Sequence, residues 1–153
     1  MIKEDYVSFE TAKLLKEKGF QAKCTACYHS DPSHTFKLIS GRINYCNPRF
    51  SKCKMIPPYN APTLQMAMKW LREIYGLYIV IRPYVTEEGT FSLFDIKSIK
   101  EKGIVVNLKT KTGFTTYEEA CEAAIKYCLE NLRLALPDAE KYKFNKYTEN
   151  KLW

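Results

Sequence analysis

The chain lacks most of the patterns that assign a biochemical activity to a sequence. It contains no apolar run approaching the roughly 18 residues of a membrane-spanning helix. It also has no Gly-rich phosphate loop, nucleophile elbow or carboxylate-histidine metal motif. The only two histidines are His29 and His34, so a nucleophile that needs a histidine base has few candidate positions. We therefore expect a protein that is not an enzyme.

The first residues also lack the features of a secretion signal. The segment MIKEDYVSF carries charges and no apolar stretch, so a cytoplasmic protein with no membrane partner is expected. Because the cytosol keeps thiols reduced, the six cysteines suit thiols or metal ligands better than disulfides. Cys121 and Cys128 are predicted to lie in the core, since they share a helix face with alanines.

The length and composition suit one ordinary domain. A chain of 153 residues, 46% of them hydrophobic, can bury a core without disulfides. The patterning predicts a single domain over 1–153 with four parts. They are an N-terminal helix (1–20), a basic cysteine-containing insert (21–60), a core of helix, three strands and helix (61–136), and a C-terminal arm (137–153).

Two amphipathic helices are predicted in the first half of the chain. VSFETAKLLKEKGF has Ser8 as its N-cap and ends at Gly19. APTLQMAMKWLREIYG begins at Pro62 and Thr63 and ends at Gly76. The apolar stripe of this second helix consists of Leu64, Ala67, Leu71 and Ile74.

Three antiparallel strands are predicted next. LYIVIRP is rich in β-branched and aromatic residues and is closed by Pro83. TFSLFDIKSI, with a slip after Leu93, and KGIVVNLKTKTG follow as the second and third strands. The predicted hairpin turns are Glu88-Gly89 and Lys102-Gly103.

The last predicted helix completes the fold class. YEEACEAAIKYCLENLRLAL begins with a capping box of Thr116 and Glu119 and ends before Pro137. Its apolar face is Ala120, Ala124, Cys128 and Leu132. The sequence thus predicts an α+β fold, in which two or three helices pack on a small antiparallel sheet of three or more strands that carries a cysteine-rich basic insert.

The insert holds most of the excess positive charge. Between Phe20 and Asn60 six basic residues stand against one acid, a local charge of +5 out of +7 for the chain. Strand-like TFKLIS and RINYC flank a hairpin turn at Gly41-Arg42. Because cations neutralise phosphates and aromatic rings stack on bases, the insert is a candidate anion site. The predicted ligand-binding residues are Lys37, Arg42, Tyr45, Arg49 and Lys54.

Four cysteines of the insert have a spacing that zinc could use. Two residues separate Cys24 from Cys27, and the second pair, Cys46 and Cys53, follows after a gap of eighteen residues. Four thiolates would hold a structural zinc ion, with His29 or His34 as a substitute for one of them. Ordinary thiols packed as small hydrophobes are the alternative. No helix is predicted after the first pair, which disfavours a redox motif.

Three blocks of the chain resemble a known group of proteins. YVSFETAKLLKEKGF, APTLQMAMKWLRE and YEEACEAAIKYCLENL are similar to a family of small uncharacterised proteins of Bacteroides-type gut bacteria and their phages and prophages. The resemblance carries no activity. It implies a phage-encoded protein, and small phage proteins often sequester a host molecule, including nucleotide signals of antiviral defence.

These observations favour a binding protein over a catalyst. The first hypothesis is a non-catalytic protein, with a homo-oligomer as its candidate state, that sequesters an anionic nucleotide-like ligand as an anti-defence sponge and needs no cofactor. The second is an inhibitor or adaptor that binds a host protein through a zinc-stabilised insert. The third is a single-stranded nucleic-acid-binding protein with alternating cations and aromatics.

Overall fold

A computed structural model describes residues 2–30, 36–40 and 59–134 of the chain. These residues form three α-helices and two three-stranded antiparallel sheets, so the predicted α+β class is confirmed. Most of the predicted insert and the C-terminal arm lie outside the described residues. Within the described ranges, none of the helices has the length and apolar character needed to cross a lipid bilayer.

The first two helices begin and end where the sequence predicts. Helix α1 spans Phe9–Glu17, and the Ser8 hydroxyl caps it by accepting a hydrogen bond from the Thr11 amide. Helix α2 spans Leu64–Tyr75 and is capped in the same way by Thr63. It ends at Gly76, whose left-handed conformation (φ 64°) suits a residue without a side chain.

The prediction is wrong for one residue of the buried face of α2. Ile74 is 60% exposed, and Tyr75 takes its place among the buried residues. The Tyr75 ring packs edge-on against Trp70, with 5.2 Å between the ring centroids. Trp70 also contacts Phe20 in the same way, so it widens the buried face of α2.

The first sheet is built from parts of the insert. Its strands are β1 (Ala26–Ser30), β2 (Phe36–Ser40) and β3 (Tyr59–Asn60), in the order β2-β1-β3. Strand β2 confirms the prediction for TFKLIS. Strand β1 was not predicted, because its cysteine and histidine were interpreted as a metal-binding loop. RINYC and the turn at Gly41-Arg42 lie outside the described residues.

The second sheet contains the three strands predicted for the core. They are β4 (Leu77–Thr86), β5 (Gly89–Ile99) and β6 (Val105–Phe114), in the order β4-β5-β6. The first hairpin turns at Glu87 and Glu88, one residue earlier than predicted, and the second through a short helical turn, Glu101–Gly103. The predicted slip after Leu93 falls where the pairing of β5 with β6 shifts register, between Ser92 and Phe94, whereas β5 pairs with β4 without interruption.

Strand β4 continues past Pro83, which the sequence predicted to end it. Pro83 pairs with Ser92, and the ladder runs on to Thr86 and Gly89. A proline is tolerated there because β4 is at the edge of the sheet among the described strands, and an amide that faces away from β5 makes no ladder hydrogen bond.

The core lies between the helices and one face of the second sheet. Helix α3 spans Tyr117–Glu130 and packs against α1, α2 and all three strands of that sheet. Its predicted face of Ala120, Ala124, Cys128 and Leu132 is buried. The sheet contributes Leu77, Phe94 and Ile96 to the same cluster.

A carboxylate of α3 fastens α1 to this core. The hydroxyls of Ser8 and Thr11 both donate to Oε1 of Glu122, the second at 2.5 Å, and the Ser8 amide donates to the same oxygen at 3.2 Å. Thr11 is fully buried. Lys126 and Glu10 add an exposed ion pair of 2.8 Å between the same two helices. Helix α1 is therefore held by α3 through charge-assisted hydrogen bonds.

The two cysteines of α3 are expected to resist alkylation in the folded protein. Burial raises the pKa of Cys121 to about 11 and that of Cys128 to about 12, so almost no thiolate is present at pH 8. Iodoacetamide treatment followed by peptide mass spectrometry should label both residues only after unfolding. Rapid labelling of either residue in the native protein would contradict the buried positions.

Candidate binding face on the second sheet

Within residues 2–30, 36–40 and 59–134, helices cover the second sheet on one side only. Leu77, Phe94 and Ile96 point to the helices, and because side chains alternate along a strand, their neighbours point to the opposite side. We call this opposite side the open face. It consists of Tyr78, Val80, Arg82 and Tyr84 of β4, Phe91, Leu93, Asp95, Lys97 and Ile99 of β5, and Val105, Asn107 and Thr110 of β6.

A network of hydrogen bonds crosses the centre of the open face. Nε and Nη2 of Arg82 both donate to Oδ2 of Asp95, at 2.8 and 2.7 Å. The Thr110 hydroxyl donates to Oδ1 of Asp95 at 2.6 Å, and the Asn107 amide donates to that hydroxyl at 2.8 Å. The network links all three strands and fixes the plane of the Arg82 guanidinium group.

The two charges of this network are unequally exposed. The Asp95 side chain is 4% exposed, whereas that of Arg82 is 58% exposed. The hydrogen bond from Thr110 lowers the pKa of Asp95, and the hydrogen bond and charge of Arg82 act in the same direction against the desolvation of the carboxylate. Asp95 therefore stays ionised and holds Arg82 in place, while the guanidinium group is exposed to solvent.

Tyr84 is held across the open face in a similar way. Its phenolic oxygen accepts a hydrogen bond of 2.9 Å from the Gly113 amide, so the side chain of a β4 residue reaches β6. Its ring also stacks with Phe91 of β5, with 5.8 Å between the centroids. Arg82 and Tyr84 are thus two planar groups, two residues apart on one strand, each fixed by a partner on another strand.

The remainder of the open face combines apolar and basic side chains. Tyr78 and Val80 are each 37% exposed, and Tyr78 lies directly opposite Lys97. The exposed Lys100 and Lys102 follow at the same end of the sheet, whereas Glu87 and Glu88 occupy the other end. The electrostatic potential of the open face therefore changes along the strands.

Of the five predicted ligand-binding residues, the structure describes only Lys37. It lies in β2, is exposed, and pairs with His29 of β1. Arg42, Tyr45, Arg49 and Lys54 lie outside the described residues, so the basic site predicted in the insert stays a prediction.

Two of the four predicted zinc ligands are described. Cys27 is buried in β1, and Cys24 precedes that strand, with its thiol 3.4 Å from the Ala22 carbonyl oxygen. Among the residues that the structure describes, no three histidine, cysteine or acidic side chains are grouped to hold a metal ion. Cys46, Cys53 and His34 lie outside those residues, so the zinc site stays a prediction.

Two cavities of the molecule are lined by acidic residues. One, of about 530 Å³, lies between the start of α1 and α3 and is lined by Asp5, Glu118, Glu119 and Glu122, with Lys126 as a single cation. The other, of about 490 Å³, lies beside Tyr84 at the β4–β5 turn and includes Glu87 and Glu88. Carboxylates repel anions, so neither cavity suits a small anionic ligand.

Comparison with known proteins does not assign the chain to a family. No protein-family model, curated protein or solved structure matches it. The resemblance of the three sequence blocks to a family of small uncharacterised proteins therefore stays a prediction.

Replacing Asp95 by Asn is expected to lower the free energy of unfolding by about 2 kcal/mol near pH 7, because the change removes a carboxylate that accepts hydrogen bonds from Arg82 and Thr110. The pKa of Asp95 is lowered in the folded state, so its stabilising effect is complete above the unfolded value near 3.9 and is lost as the pH falls through the folded value. Urea unfolding from pH 7 to pH 3 should show the two proteins converging in acid. Glu88→Gln, at the exposed turn, should leave the stability unchanged, and a constant difference for Asp95→Asn at all pH values would contradict the role of its charge.

Proposed function

We propose that the protein is a non-catalytic binding protein that holds single-stranded nucleic acid on the open face of its second sheet. The ligand has the nucleotide-like chemistry that the sequence suggests, but the surface that would bind it is the open face and not the basic insert. The observation that supports it most is the fixed pair of planar groups, Arg82 and Tyr84.

Residues two apart on a strand are separated by about 7 Å, which is close to the spacing of nucleotides in an extended strand. Arg82 and Tyr84 therefore lie at a separation suited to stacking against neighbouring bases. Both side chains are already fixed by hydrogen bonds to other strands, so little conformational entropy remains to be lost on binding. Tyr78, on the same side of β4, offers a third planar group.

Phosphate groups would be neutralised at one end of the sheet. Lys97 belongs to the open face, and Lys100 and Lys102 lie just beyond it. The chain as a whole carries a net charge of +7, which favours association with a polyanion. Glu87 and Glu88 at the opposite end would direct the phosphates away from Tyr84, leaving that ring for a base.

An extended ligand fits the open face better than a small one. Small-molecule sites are concave and bury most of the ligand, whereas the open face is the exposed side of a sheet. The two acidic cavities do not favour a free nucleotide either. A single strand can contact several residues of an exposed surface at once, and its bases are free to stack.

A second candidate function is supported by the apolar residues at the β5–β6 turn. Ile99, Ile104 and Val105 are each more than half exposed, and exposed apolar groups often mark a protein-binding surface. This agrees with the hypothesis of an inhibitor or adaptor. An apolar protein contact would depend little on salt, whereas a nucleic-acid contact weakens in proportion to the phosphates neutralised.

Fluorescence anisotropy of the full chain with a labelled single strand of about 12 nucleotides tests the first proposal. We expect binding that weakens with added salt, much weaker binding of the same sequence as a duplex, and no measurable binding of a mononucleotide. Equal affinity for the duplex and the single strand would contradict base stacking. No binding of the single strand at low salt would reject the proposed function.

A further inference from the structure

The two edges of the second sheet are protected to different extents. On β6, Lys109 and Lys111 point to the helix side, where their Nζ atoms lie 5.6 and 5.8 Å from the ring centroids of Tyr127 and Phe114. The pairing of β6 with β5 also contains two register shifts. Inward-pointing charges and bulges both hinder the addition of another strand to an edge.

Strand β4 has much less of this protection. Its ten residues pair with β5 in an uninterrupted register, and the segment LYIVIRPYVT contains one charged side chain, Arg82. In the part of the chain that the structure describes, no strand lies along its outer edge. Pro83 lacks an amide hydrogen, so a ladder on that edge would be limited to the residues before it. The segment Leu77–Arg82 is then an apolar, β-branched edge of six residues.

This edge can pair with the same edge of a second copy of the chain, in an antiparallel arrangement centred on Val80. Val80 then lies opposite Val80 of a second copy, and Ile79 lies opposite Ile81 of that copy. Tyr78 lies opposite Arg82 of the second copy, which is a favourable cation–aromatic pair. In this register each open-face residue lies opposite an open-face residue of the second copy, and each helix-side residue lies opposite a helix-side residue, as strand pairing requires.

We propose that two copies of the chain pair through the outer edges of their β4 strands, forming a six-stranded sheet whose two open faces make one continuous surface. The axis of the pair would be perpendicular to the sheet at Val80. The helices of both copies would lie on the other side. Pairing would give the backbone N–H and C=O groups of the outer edge hydrogen-bond partners in the second copy in place of water, and it would cover Val80.

The dimer extends the proposed function, and this part of the inference rests on it. Tyr78, Arg82 and Tyr84 of both copies would form one row of planar groups along the junction of the two sheets, with a Tyr84 at each end. A strand long enough to reach both ends would gain the second set of contacts as an intramolecular step. A short strand would contact only one end of the row, so affinity should rise sharply with length once the strand reaches both Tyr84 rings.

The substitution Val80→Lys tests the pairing, with Val105→Lys as its matched control. Val80→Lys places two positive charges opposite each other at the centre of the proposed ladder, which is destabilising. Val105 is also an exposed open-face valine, but it belongs to β6, so the same change should leave the dimer intact. Native mass spectrometry and analytical ultracentrifugation of the full chain give the oligomeric state without any ligand.

We expect a dimer for the parent chain and for Val105→Lys, and a monomer for Val80→Lys. Hydrogen exchange of the parent chain adds a test that needs no variant, because the amides of Leu77, Ile79 and Ile81, which face the outer edge, should become more protected as the protein concentration rises. A monomeric parent chain at about 100 μM would overturn the proposal, as that range covers moderate dimer affinities. A dimeric Val80→Lys, or β4 protection that does not depend on concentration, would overturn it equally.

Nucleic-acid binding is measured separately, so failure of the dimer can be told apart from failure of the proposed function. A monomeric parent chain that still binds single strands overturns the pairing alone. A dimer that binds no single strand leaves the pairing standing and rejects the nucleic-acid function.

Discussion

Replacing Arg82 and Tyr84 together by alanine is expected to weaken binding of a single-stranded oligonucleotide by about 100-fold or more. Each stacked base is worth about 1–3 kcal/mol, and the double change removes both fixed planar groups. Most of the loss should appear as faster dissociation, because the lysines that guide association remain in place. Fluorescence anisotropy measures the affinity, and stopped-flow mixing measures the dissociation rate.

Conservative variants at the same positions separate stacking from charge and from fold stability. Arg82→Lys keeps the charge and should lose the contribution of the planar group, whereas Tyr84→Phe keeps the ring and loses only the contact with the Gly113 amide. We therefore expect Tyr84→Phe to bind somewhat more weakly than the parent chain, because its ring is less fixed, but much more tightly than the double alanine variant. Unchanged affinity for the double alanine variant, with a normal melting temperature, would contradict the open face as the binding surface.

The largest expected effect on stability follows from replacing Glu122 by Ala. The change removes the acceptor shared by the Ser8 hydroxyl, the Ser8 amide and the buried Thr11 hydroxyl. A polar group left buried without a partner costs about 1–3 kcal/mol, so a total loss of about 3–4 kcal/mol in the free energy of unfolding is expected. Urea unfolding followed by circular dichroism measures this quantity.

Two variants of the same helix serve as controls for Glu122→Ala. Glu122→Gln keeps an oxygen acceptor and should lose less than half as much stability. Glu130→Ala removes an exposed carboxylate from the end of α3 and should have almost no effect. If Glu130→Ala and Glu122→Ala were equally destabilising, the account of how α3 holds α1 would be wrong.

The helices were predictable because their limits are set by local chemistry. Ser8, Thr63 and Thr116 each accept a hydrogen bond from an amide three residues later, and Gly76 supplies a left-handed turn. These requirements are visible in the sequence without knowledge of the partners. The three strands of the second sheet were predictable for the same reason, since β-branched residues alternate with glycine-marked turns.

The errors in the fold arose where the position of an element in the sheet decides its limits. Pro83 ends an internal strand but not an edge strand, and the sequence does not show which strand lies at the edge. Strand β1 was missed because Cys27 and His29 were considered as metal ligands, although their neighbours pair with β2. The sequence pattern predicted Ile74 on the buried face of α2, whereas the adjacent Tyr75 is the buried residue. A helix-face pattern permits an error of one position.

The candidate site was missed because charge density was used to locate it. The insert carries the densest positive charge in the sequence, with aromatic residues beside its cations, and five of its residues were selected on that ground. Arg82 and Tyr84 gain their significance from contacts with Asp95 and Gly113 on other strands. A sequence pattern that could have indicated them is the presence of aromatic or apolar residues on both sides of β4 and β5, in a fold whose few helices can cover only one side.

Backbone amide chemical shifts during titration with a single-stranded oligonucleotide test the central claim most directly. The account predicts that the largest shifts occur at Tyr78, Arg82 and Tyr84 and at their neighbours on β5, with little change in α2 and α3. Shifts confined to Lys37 and the adjacent first sheet, or to the acidic cavity beside Glu122, would contradict it.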